Sequence, residues 1–298
     1  SRVRLLCDTA LAVRSLSRKT GIEVFMNANN HLLVFAPAVG ARMAGKRFFA
    51  RVTGTLEIQT PRSVKKKIKH WGKRRVTRIS LKMAHGGVCL SEPLRDHMIQ
   101  CGVAPEKLTV ISQGVDRTAF FPSNRKNKQF EKILFVGRLD PFKGIDILLE
   151  AYDVLKRRHN ELTLCVCGDG PYFNKFNQDL ASHPGLELMG HVPNEQLPSI
   201  YRSCDAVVIP SLSEGLPNVL LEAMASGVPV VASDVGENRL LLGDGKRGLL
   251  VKPGARDEVV GAVERLMADP DLRASMGRNG RKYVEQEHDL SVVGSRLF

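Results

Sequence analysis

Ser213-Glu214-Gly215-Leu216-Pro217-Asn218-Val219-Leu220-Leu221-Glu222-Ala223-Met224-Ala225 places two carboxylates eight residues apart around the start of a helix. Gly215 and Pro217 suit a tight turn into a first helical turn, where the N–H that proline lacks would have no partner in any case. Val219 to Ala225 then reads as a nearly all-apolar, buried helix. Glu222 is the one charge inside it, and a buried charge needs a partner. A helix N-terminus offers backbone amides to phosphate oxygens, and carboxylates accept from sugar hydroxyls. The stretch therefore fits a phosphorylated, hydroxyl-rich ligand. It also fits a plain helix start with Glu222 on a solvated edge, and the surrounding chain has to decide.

Outward from this stretch the pattern is regular. Ala206-Val207-Val208-Ile209-Pro210 reads as the strand that feeds it, and Val228-Pro229-Val230-Val231-Ala232 as the strand that follows. Further upstream, Ile133-Leu134-Phe135-Val136-Gly137 is a continuous apolar run ending in glycine, as in a buried parallel strand. An amphipathic helix from Asp146 to His159 follows, with Ile147, Leu148, Ala151, Val154 and Leu155 on one stripe. Leu162 to Cys167, Leu186 to Met189 and Gly248 to Val251 read as further strands. Helices are expected from Pro171 to about Ser182, around Leu197–Ser203, and near 256–268 and 270–286. Alternation of this kind specifies an α/β class with a doubly wound parallel sheet.

Ligands of such sheets bind beyond the carboxyl ends of the strands. Three loops are expected there: Gly137-Arg138-Leu139-Asp140-Pro141-Phe142-Lys143-Gly144, Gly168-Asp169-Gly170-Pro171, and Pro210 to Pro217. Arg138 supplies a guanidinium fork and Lys143 a compact point charge, a pairing suited to a diphosphate.

The first 115 residues read differently. Ile22–Met26, Arg47–Val52 and Gly87–Leu90 look like three strands, with helices over Leu32–Gly45 and Val64–Met83. The formal net charge of the whole chain is +13. Residues 1–115 hold 21 Lys/Arg and 6 Asp/Glu, and residues 116–298 hold 23 and 25, so the positive excess lies entirely in the first part. That asymmetry points to two bodies, one of which meets something anionic. The expected organisation is a basic domain over 1–115, a linker over 116–132, a second domain over 133–286, and the start of a closing helix over 287–298. No run reaches the ~18 apolar residues of a membrane span. The opening residues, Ser1-Arg2-Val3-Arg4-Leu5-Leu6, lack the apolar segment of a signal peptide, so the expected location is cytoplasmic. Cys7, Cys89, Cys101, Cys165, Cys167 and Cys204 show no framework or metal-site spacing and read as free thiols.

Taken in order, Gly137-Arg138-Leu139…Lys143-Gly144, Gly168-Asp169-Gly170-Pro171 and Pro210-Ser211…Glu214-Gly215-Leu216-Pro217…Leu221-Glu222-Ala223-Met224-Ala225-Ser226-Gly227-Val228-Pro229-Val230-Val231 resemble the donor domain of retaining glycosyltransferases of family 4. These enzymes have the GT-B fold of two Rossmann-like domains. Glu214 and Glu222 match that family's Glu-x7-Glu motif, and Ser112-Gln113-Gly114-Val115-Asp116 is similar to its linker signature. The resemblance implies that Arg138 and Lys143 hold the donor diphosphate and stabilise it as it leaves. Glu214 would bind the transferred sugar and Glu222 the nucleotide ribose. Gly137, Gly168, Asp169, Gly170, Gly215, Leu216, Pro217 and Asn218 would line the donor site. It also implies a UDP- or GDP-sugar as co-substrate, no metal or other cofactor, and retention of configuration at the sugar carbon.

The same comparison exposes departures. The family's N-terminal domain usually opens with a strand and a glycine-rich loop, and nothing of that kind precedes Ile22, so the domain reads as incomplete. Arg51-Val52-Thr53-Gly54-Thr55 stands where the family often has a histidine. Asn27, Asn29, His31 and Thr53 are the acceptor-side candidates, with His31 equally suited to starting a helix. Residues 61–82 hold ten Lys/Arg with no acid between Glu57 and Glu92. A basic helix there, with Val64, Ile68, Trp71, Ile79 and Met83 on one side, suits an anionic membrane surface presenting a lipid-linked acceptor. It equally suits packing on its own sheet. No aromatic-interleaved platform supports nucleic acid. Three function classes follow: a glycosyltransferase acting on a lipid-linked or cell-envelope glycan, a nucleotide-sugar-binding protein without turnover, and a phosphorylase or disaccharide-phosphate synthase on the same scaffold.

Overall fold

The computed structural model describes residues 24–27, 35–52, 79, 83–123, 129–174 and 183–296. The chain divides into two compact units, residues 1–112 and residues 113–298.

In the first unit, four parallel strands lie in the order β1 (Val24–Asn27), β2 (Arg47–Val52), β3 (Gly86–Cys89) and β4 (Leu108–Val110). Helix α1 (Phe35–Met43) connects β1 to β2, and α2 (Glu92–Gln100) follows β3. Ser91 starts α2 by accepting the Leu94 N–H at 3.3 Å, with Pro93 in the first turn, so the cap lies in the residues themselves. Leu94 and Met98 are buried where that helix packs on β3 and β4. The three-strand expectation is thus corrected to four among the described residues. β4 has only three residues, of which Leu108 alone is buried, too short to show a period. The expected helix over Val64–Met83 falls almost wholly outside the described residues.

The second unit holds a six-stranded, all-parallel sheet. Its strands are β5 (Lys132–Val136), β6 (Thr163–Cys167), β7 (Leu186–Gly190), β8 (Ala206–Ile209), β9 (Val230–Ser233) and β10 (Leu249–Val251). Their spatial order is β10-β9-β8-β5-β6-β7. From β5 the chain winds outward through β6 to β7, returns to β8 beside β5, and winds the other way to β10. Alternate residues of each central strand feed two separate cores, as a pleated strand must. Ile133, Phe135, Leu164, Val166, Val208 and Val231 face helices α3 (Ile145–Arg158) and α7 (Arg256–Ala268). Leu134, Cys165, Val207, Ile209, Val230 and Ala232 face α4 (Leu197–Ser203), α5 (Asn218–Ala225) and α6 (Asn238–Leu242). All four residues of β8 and of β9 are buried, which is why the sequence reads there as continuous rather than alternating apolar runs.

The buried stripe of α3 differs from the expected one. It comprises Ile145, Leu148, Leu149, Ala151, Tyr152 and Leu155, with Ile147 and Val154 on its flank. The helix begins at Ile145 and buries positions at three- and four-residue spacing from it, which rotates the face past Ile147. Helices α8 (Pro270–Glu287) and α9 (Leu290–Ser295) close the unit. Arg281 of α8 donates to the carbonyl oxygens of Ala225 and Phe120, each at 2.7 Å, satisfying a C-terminal carbonyl of α5 that has no helical partner. Val115 pairs with Asp289 in an isolated parallel bridge, and Arg117 Nε meets Asp289 Oδ2 at 2.7 Å.

Candidate functional site

The winding direction reverses between β5 and β8, the position at which open α/β sheets bind ligands beyond the strand ends. The loops after these two strands carry Arg138 and Lys143 on one side and Glu214 on the other.

The loop after β5 is shaped by Asp140. Its Oδ1 accepts the N–H groups of Phe142 at 2.9 Å and Lys143 at 3.1 Å, folding Pro141–Lys143 into a 3-10 turn. Its Oδ2 accepts from Arg138 Nε at 2.5 Å. Burial works to raise the Asp140 pKa, but the Arg138 and backbone hydrogen bonds outweigh it and hold the carboxyl below its ordinary value. Gly144 ends the turn at φ 68°. A methyl group there would lie 2.0 Å from the Pro210 carbonyl oxygen, so the two loops approach more closely than any side chain permits.

Between these two loops, Lys143 Nζ donates to Glu214 Oε1 at 2.7 Å, and Ser211 Oγ donates to the same oxygen at 2.7 Å. Glu214 Oε2 has no protein partner among the described residues. Arg138 is two-thirds exposed and uses only Nε on Asp140. This arrangement leaves Nη groups of Arg138, further donors of the Lys143 ammonium and one oxygen of Glu214 for an incoming molecule. Anionic groups suit the first two and hydroxyl groups the third.

The third loop joins through its backbone. Leu139 N–H donates to Asp169 O at 2.9 Å, Gly137 N–H to Cys167 O at 2.9 Å, and Asp169 Oδ1 accepts the Gly170 N–H at 2.6 Å. A methyl at Gly168 would fall 1.8 Å from Gly137 O. Gly137, Gly168, Asp169 and Gly170 therefore form one surface with Arg138. Glu237 N–H holds Gly215 O at 3.0 Å, and Pro217 immediately precedes α5, whose first turn has no side-chain cap. Leu216 is half-buried and Asn218 exposed at that helix start.

Glu222 sits apart from this set, one turn into α5. Its Oε2 accepts the Tyr201 hydroxyl of α4 at 2.8 Å. Burial pushes the Glu222 carboxyl up, and the Tyr201 bond pulls it partly back. Glu222 is thus half-buried with a partner on one oxygen. Of the acceptor-side candidates, Asn27 ends β1, where its backbone pairs with Ala50, and Asn29, His31 and Thr53 lie outside the described residues. Sequence reasoning named neither Asp140, Ser211 nor Tyr201 as site residues. Only the need of Glu222 for a partner signalled that such a residue existed.

Residues 116–283 match the family model described as Glycosyl transferases group 1, and residues 1–119 match that of Glycosyltransferase Family 4. Over 216 residues the chain is 31% identical to D-inositol 3-phosphate glycosyltransferase of Corynebacterium aurimucosum, a match covering 66% of this chain and 51% of that protein. It is 34% identical over 169 residues to alpha-D-kanosaminyltransferase of Streptomyces kanamyceticus, covering 55% of this chain and 44% of that one. The chain spans about half the length of these curated relatives. Among solved structures, Anabaena HepE in complex with UDP-glucose superposes with a TM-score of 0.78 at 19% identity, over 97% of this chain and 80% of that one. This likeness establishes the fold as GT-B, with two Rossmann-like domains. With its ordered site motifs on the switch-point loops and a family match across most of its second unit, the chain belongs to the glycosyl transferases group 1 family.

Proposed function

We propose that this chain carries the donor site of a retaining glycosyltransferase that takes a sugar from a nucleotide diphosphate sugar. The observation that carries the reading is the convergence of Arg138, Lys143 and Glu214 across the β5–β8 switch point. The two cations take the diphosphate, and their charge counts most as negative charge builds on the leaving group. Glu214 receives a sugar hydroxyl on Oε2 while Lys143 and Ser211 fix Oε1. The uncapped first turn of α5 adds backbone amides from Gly215 to Asn218, and Glu222 receives the ribose. Cations and amides can offset leaving-group charge by themselves, so the proposed reaction is metal-independent. The neighbours' binding of UDP and UDP-glucose supports a uridine diphosphate sugar as the first donor to try. One relative is the capsular polysaccharide biosynthesis glycosyltransferase CapM of Staphylococcus aureus, 28% identical over 227 residues, which supports a glycan acceptor, free or lipid-linked.

Among the described residues no helix is long and apolar enough to cross a membrane. The basic run over 61–83 supports peripheral docking on an anionic membrane face from the cytoplasmic side, and vesicles of anionic lipid at low salt test that part separately. The activity is tested by incubating the chain with UDP- and GDP-sugars and a panel of glycan acceptors. Transfer, or slow donor hydrolysis, that disappears in Glu214→Ala while nucleotide binding persists is the expected result. Transfer unchanged in Glu214→Ala would remove that residue from the site.

A further inference from the structure

Tyr201 is fully buried on α4, and its ring packs edge-on against Phe120 with centroids 5.7 Å apart. Its hydroxyl is a single donor in an apolar interior, and its partner is Glu222 Oε2 at 2.8 Å. Burial, reinforced by the neighbouring carboxylate, pushes the Tyr201 pKa up, so the phenol keeps its proton and donates. Glu222 therefore has one oxygen committed to the protein, while Oε1 has no protein partner among the described residues. The other ionisable groups around this pair are Cys204 at the end of α4 and Cys167 on β6. From α8, Arg281 is engaged by the Ala225 and Phe120 carbonyls and by Glu285.

We infer that Tyr201 is a positioning residue that sets the nucleotide specificity of the site, holding Glu222 as an oriented acceptor so that Oε1 is presented to the ribose diol. This rests on the reading that Glu222 receives the ribose. A carboxylate accepts from two hydroxyls, whereas a protonated carboxyl offers one acceptor and one donor. The Tyr201 hydroxyl favours the ionised form, which burial alone disfavours. It also removes the rotational freedom that Glu222 would otherwise lose on binding. Tyr201 consequently acts on ribonucleotides through Glu222, with no contact to the diphosphate or the sugar.

The test measures affinity for UDP against 2′-deoxy-UDP, with the guanosine pair run in parallel, by calorimetry on the full chain. Wild type should favour the ribonucleotide by about tenfold, the scale of one hydrogen bond to a charged group. Glu222→Gln should collapse that preference, and Tyr201→Phe should reduce it several-fold. In turnover, Tyr201→Phe should raise the donor KM with kcat little changed, as loss of a contact made equally in the ground and transition states requires. In the Glu222→Gln background, Tyr201→Phe should have no further effect on the preference. A preference retained in Glu222→Gln overturns the ribose reading itself. Collapse in Glu222→Gln with an unaltered preference in Tyr201→Phe overturns the role of Tyr201 alone. If Tyr201→Phe lowers affinity equally for both nucleotides, or does so in the Glu222→Gln background, the tyrosine is a packing residue and the inference falls.

Discussion

Lys143 and Glu214, 71 residues apart in the chain, meet in an ion pair of 2.7 Å that joins the loop after β5 to the loop after β8. Both ends have been proposed as donor ligands, so the pair must be shared or exchanged when a donor enters. The lysine ammonium has three donors and can hold Glu214 and a phosphate oxygen together. The pair therefore aligns the site before the ligand arrives, which lowers the cost of ordering it.

Removing that charge should be expensive in rate. Lys143→Met should lower kcat by roughly 10²–10³, the cost of one preorganised charge-stabilising contact. Lys143→Arg should recover only part of it, because the fork cannot reproduce a point charge held on Oε1. Transfer rates at saturating donor measure this, and a Lys143→Met enzyme within threefold of wild type would refute it.

The close approach of the two loops should be intolerant of a methyl group. Gly144→Ala sets a Cβ against the Pro210 carbonyl at 2.0 Å and forces φ 68° on an L-residue. Destabilisation on the order of 3 kcal/mol is expected, read by urea unfolding of the second unit. Gly261→Ala is the control. It lies inside α7, where an added Cβ meets nothing within 4 Å, and it should be neutral or slightly stabilising.

Acidification should separate the two carboxyls with opposite shifts. Glu222 has its pKa raised by burial, so it takes up a proton above the ordinary glutamate value of 4.5, and ribonucleotide affinity should begin to fall from there. For stability the sign is the reverse: a raised folded pKa favours the folded state at low pH, and that contribution is lost as pH rises through it. Asp140, held below 3.8, contributes stability that is complete above that value and is lost as pH falls through its lower folded pKa. Nucleotide affinity and thermal stability measured from pH 3.5 to 8 should therefore diverge as Glu222 takes up its proton above 4.5, affinity falling while its contribution to stability grows. Tyr201→Phe should shift the affinity decline to higher pH.

Arg281 supports the site from behind by holding the last carbonyl of α5. Arg281→Ala removes the 2.7 Å hydrogen bonds to the Ala225 and Phe120 carbonyls together with the ion pair to Glu285, and leaves the carbonyl of the buried Ala225 unpaired. It should cost about 2 kcal/mol, seen as a lower Tm with donor KM less affected than in Tyr201→Phe.

The second unit was legible because buried parallel strands announce themselves as short apolar runs, and Leu197–Ser203 and Arg256–Ala268 carry clear helical spacing. The three-residue β4 and the polar α2 carry too little apolar pattern to be read. At the site, strand-to-helix alternation puts Arg138, Lys143 and Glu214 on neighbouring loops and Glu222 inside the helix that follows, and Lys143 meets Glu214 directly. It could not name Tyr201 or Ser211. Their roles are hydrogen bonds whose geometry depends on how α4 packs on α5 and how β8 lies beside β5. Neither relation leaves a period in the chain.

Binding of a nucleotide diphosphate sugar by Arg138, Lys143 and Glu214 is measured by a thermal-shift panel of UDP- and GDP-sugars. A preferred donor should raise the Tm, corresponding to roughly 2.7 kcal/mol at a hundredfold excess over Kd. The shift should disappear in the Arg138→Ala, Lys143→Ala double variant. A panel in which no nucleotide sugar shifts the transition, or a shift that survives unchanged in the double variant, would contradict binding by these residues.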